Sequence, residues 1–262
     1  MRRRLRANPP ARVAARAKIP DLGTPAPDLP RSPLLPQTGF VTLTNPEAFM
    51  KYPLPVVQQL TKIGAGYVGA KGDFATDAKG VEQASSVSLS PVIEIPSKEK
   101  FFEWWNSPEY AAVKPLRTEN SAGPIAVMEA NLLPDGADTS AFGAYLSTIK
   151  KFTDKETFGA EYPPLMKANN AKFGATMIAR VPFRGEGAEK MIAQENCENY
   201  DFAVLIGFKT LEDAVNYVHD EEFGAKQTAV RLATTEGPLA AIEATNKTRG
   251  PFPQYTGVPH DR

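Results

Sequence analysis

Few residues in this 262-residue chain could carry chemistry on their own. His219 is one of two histidines, and His260 lies close to the C-terminal end. A lone imidazole near neutral pH is a candidate general base, so His219 is the catalytic candidate, a weak one. The stretch Trp104-Trp105-Asn106-Ser107-Pro108-Glu109-Tyr110 gathers two indoles, an amide and a phenol. Trp104, Asn106 and Tyr110, with Tyr52 and Tyr162 from elsewhere, are the ligand-binding candidates. Each also has a plain structural reading. Trp105 is in register with Phe101 and reads as core, which leaves Trp104 as the freer indole. Asn106 sits at a helix break, where asparagine is favoured anyway. Cys197 is the single cysteine, so it forms no internal bridge and no cysteine-based zinc cluster. Its neighbours Glu195 and Glu198 disfavour a thiolate. No metal site and no cofactor are expected. The glycines around Arg184 lack the strand-to-helix setting of a phosphate loop.

Ser97 to Arg117 reads as the element that positions the first group. Ser97 caps a helix whose apolar face is Phe101, Phe102 and Trp105. Asn106 breaks it, and Ser107-Pro108-Glu109 restarts it with a cap, a first-turn proline and an acid. The preceding strand alternates Val87, Leu89, Pro91, Ile93 and Ile95 with mostly polar residues, and Pro91 points to an edge or a bulge. Upstream, residues 39–44 read as a strand, Asn45-Pro46-Glu47 as a helix start, and 67–70 as a second strand. Residues 71–86 read as a polar loop and 123–130 as the closing strand. The order is βαββαβ, an antiparallel sheet with both helices on one face.

The order then recurs. Residues 144–153 read as a strand, 154–173 as a helix, 175–183 and 202–208 as strands. Thr210 caps a further helix, Asp220 restarts it, and 237–244 closes the copy. Gly123 to Ala130 (GPIAVMEA) returns as Gly237 to Ala244 (GPLAAIEA), and Tyr52-Pro53 as Tyr162-Pro163. His219 falls where Asn106 stood, which favours the same punctuating role.

The Trp-Asn-Ser-Pro-Glu-Tyr stretch with Arg117 downstream resembles a family known as domain of unknown function 1330, as does Asn45-Pro46-Glu47-Ala48-Phe49. The resemblance covers about residues 39–130; the second copy, with Val218-His219-Asp220 in place of the motif, is divergent. It implies two tandem ferredoxin-like domains of the dimeric α/β-barrel superfamily, an α+β fold. The two sheets would pair within the molecule around a central cavity. That superfamily includes cofactor-independent oxygenases, dehalogenase-like enzymes and haem-handling proteins, and the resemblance assigns this chain no chemistry.

Composition limits the remaining readings. Lysine plus arginine equals aspartate plus glutamate at 30 each, which argues against a nucleic-acid partner. No apolar run reaches the roughly 18–20 residues of a membrane helix, though peripheral membrane association stays open. Residues 1–20 hold seven cations and no acid, so the remaining 242 sum to −7. The expected organisation is a basic, proline-rich arm over 1–38, domains over 39–131 and 138–245, and a Pro/Gly-rich arm over 246–262. An Arg-rich, acid-poor start has the composition of a plastid or mitochondrial transit peptide. A retained arm has no core of its own and is expected to lie on a partner. The leading expectation is therefore a non-catalytic accessory or structural subunit of a larger, organellar complex. Its arms would dock on protein subunits, with Arg2, Arg3, Arg4, Arg6, Arg12 and Arg16 as partner-binding residues. The alternative is a cofactor-independent enzyme or small-molecule-binding protein that uses the barrel cavity.

Overall fold

A computed structural model of the chain describes residues 35–71, 87–134, 137 and 139–244. The basic residues of the N-terminal arm, Arg2 to Arg16, and the polar loop from residue 72 onward lie outside these.

The first half runs β1 (Leu35–Gly39), β2 (Thr42–Leu43), α1 (Pro46–Phe49), α2 (Pro53–Lys62), β3 (Gly66–Lys71), β4 (Ser90–Ile95), α3 (Lys98–Trp105), α4 (Pro108–Thr118), β5 (Ser121–Ala122) and β6 (Ile125–Met128). The second runs β7 (Ala144–Phe152), α5 (Lys155–Phe173), β8 (Thr176–Pro182), β9 (Met191–Glu195), β10 (Phe202–Phe208), α6 (Leu211–His219), α7 (Gly224–Thr234), β11 (Thr235–Glu236) and β12 (Leu239–Glu243). Side chains start the helices as the sequence implies. Asn45, Ser97, Ser107, Asp154 and Thr210 each accept a hydrogen bond from a backbone amide three residues on.

The main sheet of the first half has the order β3-β4-β1-β6, and that of the second β8-β10-β7-β12, all antiparallel. Both are the ferredoxin-like arrangement, fourth strand beside first, then third and second. The fold is α+β, two such halves packed as an α/β barrel. One apolar cluster joins the sheets: Phe40, Val92 and Met128 from the first half meet Tyr145, Leu205 and Ile242 from the second. Separate clusters lie between each sheet and its own helices.

Three expectations need correction. The first strand begins at Leu35, inside the stretch expected to be an extended arm, and Pro36 sits within a central strand. The ladder explains the tolerance. Phe40 donates to Pro124, so even-numbered residues of β1 face β6; pairing with β6 begins only at Gln37, and proline's missing N–H falls beyond it. β9 was not anticipated at all. It belongs to the second half by sequence but extends the first half's sheet, pairing with β6 from Ile125↔Glu195 onward. Asp220 restarts no helix; α7 begins at Gly224, and the Asp220 carboxylate accepts from the amides of Glu222 and Phe223 in the turn. Across the two sheets the buried hydroxyls of Thr38 and Ser147, on the central strands β1 and β7, hydrogen-bond to each other.

Candidate functional site

The helix break around Asn106 builds a polar cluster on the helical face of the first sheet. Ser97 fixes the start of α3, Asn106 ends it, and Ser107 accepts from the Tyr110 amide at 3.1 Å to start α4. Tyr110 and Arg117 are seven residues apart on α4, two turns along one face. Both are buried, a rare condition for an arginine. Arg117 Nη2 donates to the Tyr110 hydroxyl at 3.2 Å and to Glu195 Oε2 at 2.5 Å. Lys114 Nζ takes the other carboxylate oxygen at 2.6 Å. Glu195 is the last residue of β9, so the second half supplies the counter-ion to the first half's buried cation.

The tryptophans are placed the opposite way from expectation. Trp104 is the buried one; its Nε1 donates to Gln59 Oε1 at 3.0 Å and its ring lies 4.2 Å from that of Tyr110. Trp105 is half-buried beneath Lys114, whose ammonium stands 4.6 Å from the ring centre. Tyr52 completes the group, with Arg117 5.9 Å from its ring. Burial, and next the neighbouring Tyr110, push the Tyr52 phenol well above its ordinary value, against the pull of Arg117. Burial works against the charge on Arg117, but its neighbours, with the Glu195 carboxylate among them, outweigh it and hold the guanidinium charged. Tyr52 and Arg117 keep their protons at neutral pH. They brace the fold and offer no base.

The second half answers with a neutral network. Gln227 Nε2 donates to the hydroxyls of Tyr162 at 2.8 Å and Tyr217 at 3.0 Å. Asn169 Nδ2 donates to Gln227 Oε1 at 2.6 Å. Tyr162 also stacks on Phe158, so this candidate is tied into the core. His219 is exposed at the end of α6, where a positive charge complements the helix dipole, and it joins neither cluster. Cys197 is buried and donates to the carbonyls of Ile125 and Glu195; burial first, with Glu198 and Glu195 adding, pushes the thiol up to about 12. It is no nucleophile, and burial is the main cause where the sequence pointed to the acidic neighbours.

A different group of residues surrounds open space. Lys155 at the start of α5, Arg180 on β8 and Arg184 just beyond β8 line a cleft of about 460 Å³ with Phe152, Phe202 and Asp201. The two phenyl rings lie 4.7 Å apart and form an apolar wall. Asp201 is held in place: its Oδ2 accepts from the Phe152 amide at 2.7 Å. Arg184 is steered by a hydrogen bond to the Glu198 carbonyl. Arg180 is fixed through its backbone, which exchanges hydrogen bonds with the Asn131 side chain. Three cations thus face one carboxylate around a concave surface. None of the three was singled out from sequence for this, because single surface cations look alike until the fold gathers them. No group of three or more potential metal ligands occurs among the described residues, and no described helix is long and apolar enough to cross a membrane.

The capped break, the buried aromatic pair and Arg117 all lie in the first half. Residues 39–131 match the family model described as Domain of unknown function (DUF1330). The match ends before the second half, which repeats the topology without the motif. No curated protein sequence matches the chain. Among solved structures, a novel heme-binding protein from Thermus thermophilus aligns at TM-score 0.41 and 12% identity, over 84% of this chain and 96% of that one. A putative monooxygenase from Lactobacillus acidophilus NCFM aligns at 0.41 and 9%, over 81% and 97%. The encapsulated DyP-type peroxidase from Mycobacterium smegmatis aligns at 0.42 and 11%, over 84% and 94%. The likeness is one of fold. These neighbours are described as a binding protein and as enzymes, and the expectation of a non-catalytic docking subunit gives way to its alternative.

Proposed function

We propose that the protein binds a small organic anion in the cleft between the start of α5 and the end of β8. This keeps the small-molecule alternative but sets it in a surface cleft instead of the barrel interior. The observation that supports it is the convergence of Lys155, Arg180 and Arg184 on about 460 Å³ of concave space backed by two phenyl rings. That volume is within the roughly 300–1,000 Å³ of small-ligand sites. Guanidinium groups match carboxylate and phosphate oxygens in pairs, and the apolar wall lowers the local dielectric and strengthens the attraction.

A haem, the ligand named for the Thermus neighbour, is not served by His219, Cys197, Tyr52 or Tyr110. Haem iron takes a histidine, thiolate, methionine or tyrosinate ligand. His219 is exposed at a helix end, the Cys197 thiol holds its proton, and Tyr52 and Tyr110 are committed to the Arg117 cluster.

Isothermal titration with butyrate and with inorganic phosphate, at low ionic strength, tests the reading. The chain is expected to bind at least one of them saturably, and Arg180→Ala with Arg184→Ala to weaken it by about tenfold or more. Both arginines are exposed, so the double variant keeps the fold. Equal binding by wild type and variant, or none by either, overturns the proposal.

A further inference from the structure

The cleft does not end at its apolar wall. A second, smaller cavity of about 40 Å³ lies beneath α5, and Arg180 and Phe202 line both spaces. Its other walls are mainly apolar, with Phe158, Pro163 and Met166 from α5 and Leu146, Met177 and Ile206 from the sheet, and the buried Lys150 and Arg231 also lie on its lining. We infer that this cavity is the tail pocket of the same site, and that the ligand is a short-chain carboxylate: a charged head between the cleft cations and a tail of a few carbons under α5. This rests on the cleft being the binding site.

Three features carry the inference. The shared residues put the head and tail positions next to each other, with Arg180 at the junction. The volume sets the tail's length: a single water needs roughly 10–15 Å³ of such space, so about 40 Å³ holds about three water-sized groups. The wall can adjust. Met166 and Met177 are flexible, polarisable side chains. Above them α5 contains Pro163 and Pro164, so the carbonyls of Gly159 and Ala160 lack their helical amide donors, and the helix has fewest ties where it roofs the cavity.

Titration calorimetry with acetate, butyrate, hexanoate and octanoate tests it, with 1-hexanol as the uncharged control. Affinity is expected to rise about fourfold per methylene from acetate to butyrate, then level off at hexanoate and octanoate. Met166→Trp, which fills the pocket, is expected to remove the chain-length dependence and leave acetate binding within about twofold. Met177→Phe provides the same test should the first variant fold poorly. Equal affinity along the series overturns the tail pocket and leaves the anion cleft standing. Hexanol binding as tightly as hexanoate overturns the cleft and leaves an apolar pocket. No binding by any member overturns both.

Discussion

The two halves share a frame and differ in what fills it. Each places a buried arginine on its last long helix, Arg117 or Arg231, six residues before a glycine of positive φ. Gly123 (φ 117°) and Gly237 (φ 122°) begin the turn into the closing strand; the first presses its backbone against Phe40, just past the end of β1, and the second against Ile149 within β7. A Cβ on Gly123 would stand 1.8 Å from the Phe40 carbonyl oxygen, and one on Gly237 2.3 Å from that of Ile149. The polar filling differs. The first half uses an ion cluster whose carboxylate, Glu195, comes from the other half; around Gln227 the second half uses neutral amides and phenols of its own. The shared part is backbone geometry, which any sequence with this topology must satisfy. The divergent part is side-chain chemistry, and it makes the first half depend on the second.

The largest effects should come from breaking what is shared. Gly123→Ala and Gly237→Ala each combine a left-handed backbone with a backbone clash that no rotamer relieves. Each is expected to cost about 4 kcal/mol or more, lowering the thermal midpoint by about 10 °C or more. Calorimetry or thermal circular dichroism reads this directly. A small loss at one glycine and a large loss at the other would show that the two turns are not equivalent.

The next effect separates the halves. Arg117→Met leaves Glu195 with only Lys114 and should cost about 3 kcal/mol, since removing one member of a buried pair strands the other. Gln227→Met in the neutral network should cost less, about 1–2 kcal/mol. A double-mutant cycle of Arg117→Met with Glu195→Gln should show strong coupling, and one of Gln227→Met with Glu195→Gln none. Coupling in the second cycle would mean that the halves communicate through more than β9.

What the sequence made legible follows the same division. The caps at Ser97, Ser107 and Thr210 and the alternation in β10 are local signals, and the elements appear where those signals lie. β4 departs from its signal: it starts at Ser90 instead of Val87, it lies between β3 and β1 although Pro91 pointed to an edge or a bulge, and it buries Ser90 and Glu94 on the face expected to be polar. β9 was invisible. Met191–Glu195 is four partly buried residues and the exposed Gln194, without clear alternation, and it is a strand because β6, more than 60 residues away, offers an edge. Pro36 misled for the same reason: its tolerance depends on where the β6 ladder stops. Arg117 was legible as part of a motif, but its partner Glu195 was noticed only as a neighbour of Cys197. The cleft residues Lys155, Arg180 and Arg184 carry no mutual spacing, and only the approach of α5 to β8 gives them a common direction.

The smallest effect concerns the helix break that opens α4 and its counterpart before α7. Ser107 caps with a neutral hydroxyl. In the other half Asp220 holds the turn as an anion, hydrogen-bonded by Lys172 Nζ at 2.6 Å and by two backbone amides. The Lys172 contact first, then the Phe223 amide, lower the Asp220 carboxyl below its ordinary 3.8. A group whose folded value lies below its unfolded one stabilises the fold above the unfolded value and loses that contribution as pH falls through the folded one. Lys172, raised above its ordinary 10.5 by Asp220 and then Glu222, contributes below 10.5 and loses that as pH rises. Asp220→Asn, which keeps an acceptor for the amides, should therefore lower the urea midpoint at pH 7 and leave it closer to wild type at pH 2–3. Ser107→Ala should cost about 1 kcal/mol equally at both. Lys172 is exposed and Asp220 only partly buried, so salt should shrink the Asp220 effect and leave the Ser107 effect unchanged. A salt-independent Asp220→Asn loss of the same size at both pH values would mean that this carboxylate, like the serine, acts only as a hydrogen-bond acceptor, and the two breaks would then be one device with different residues.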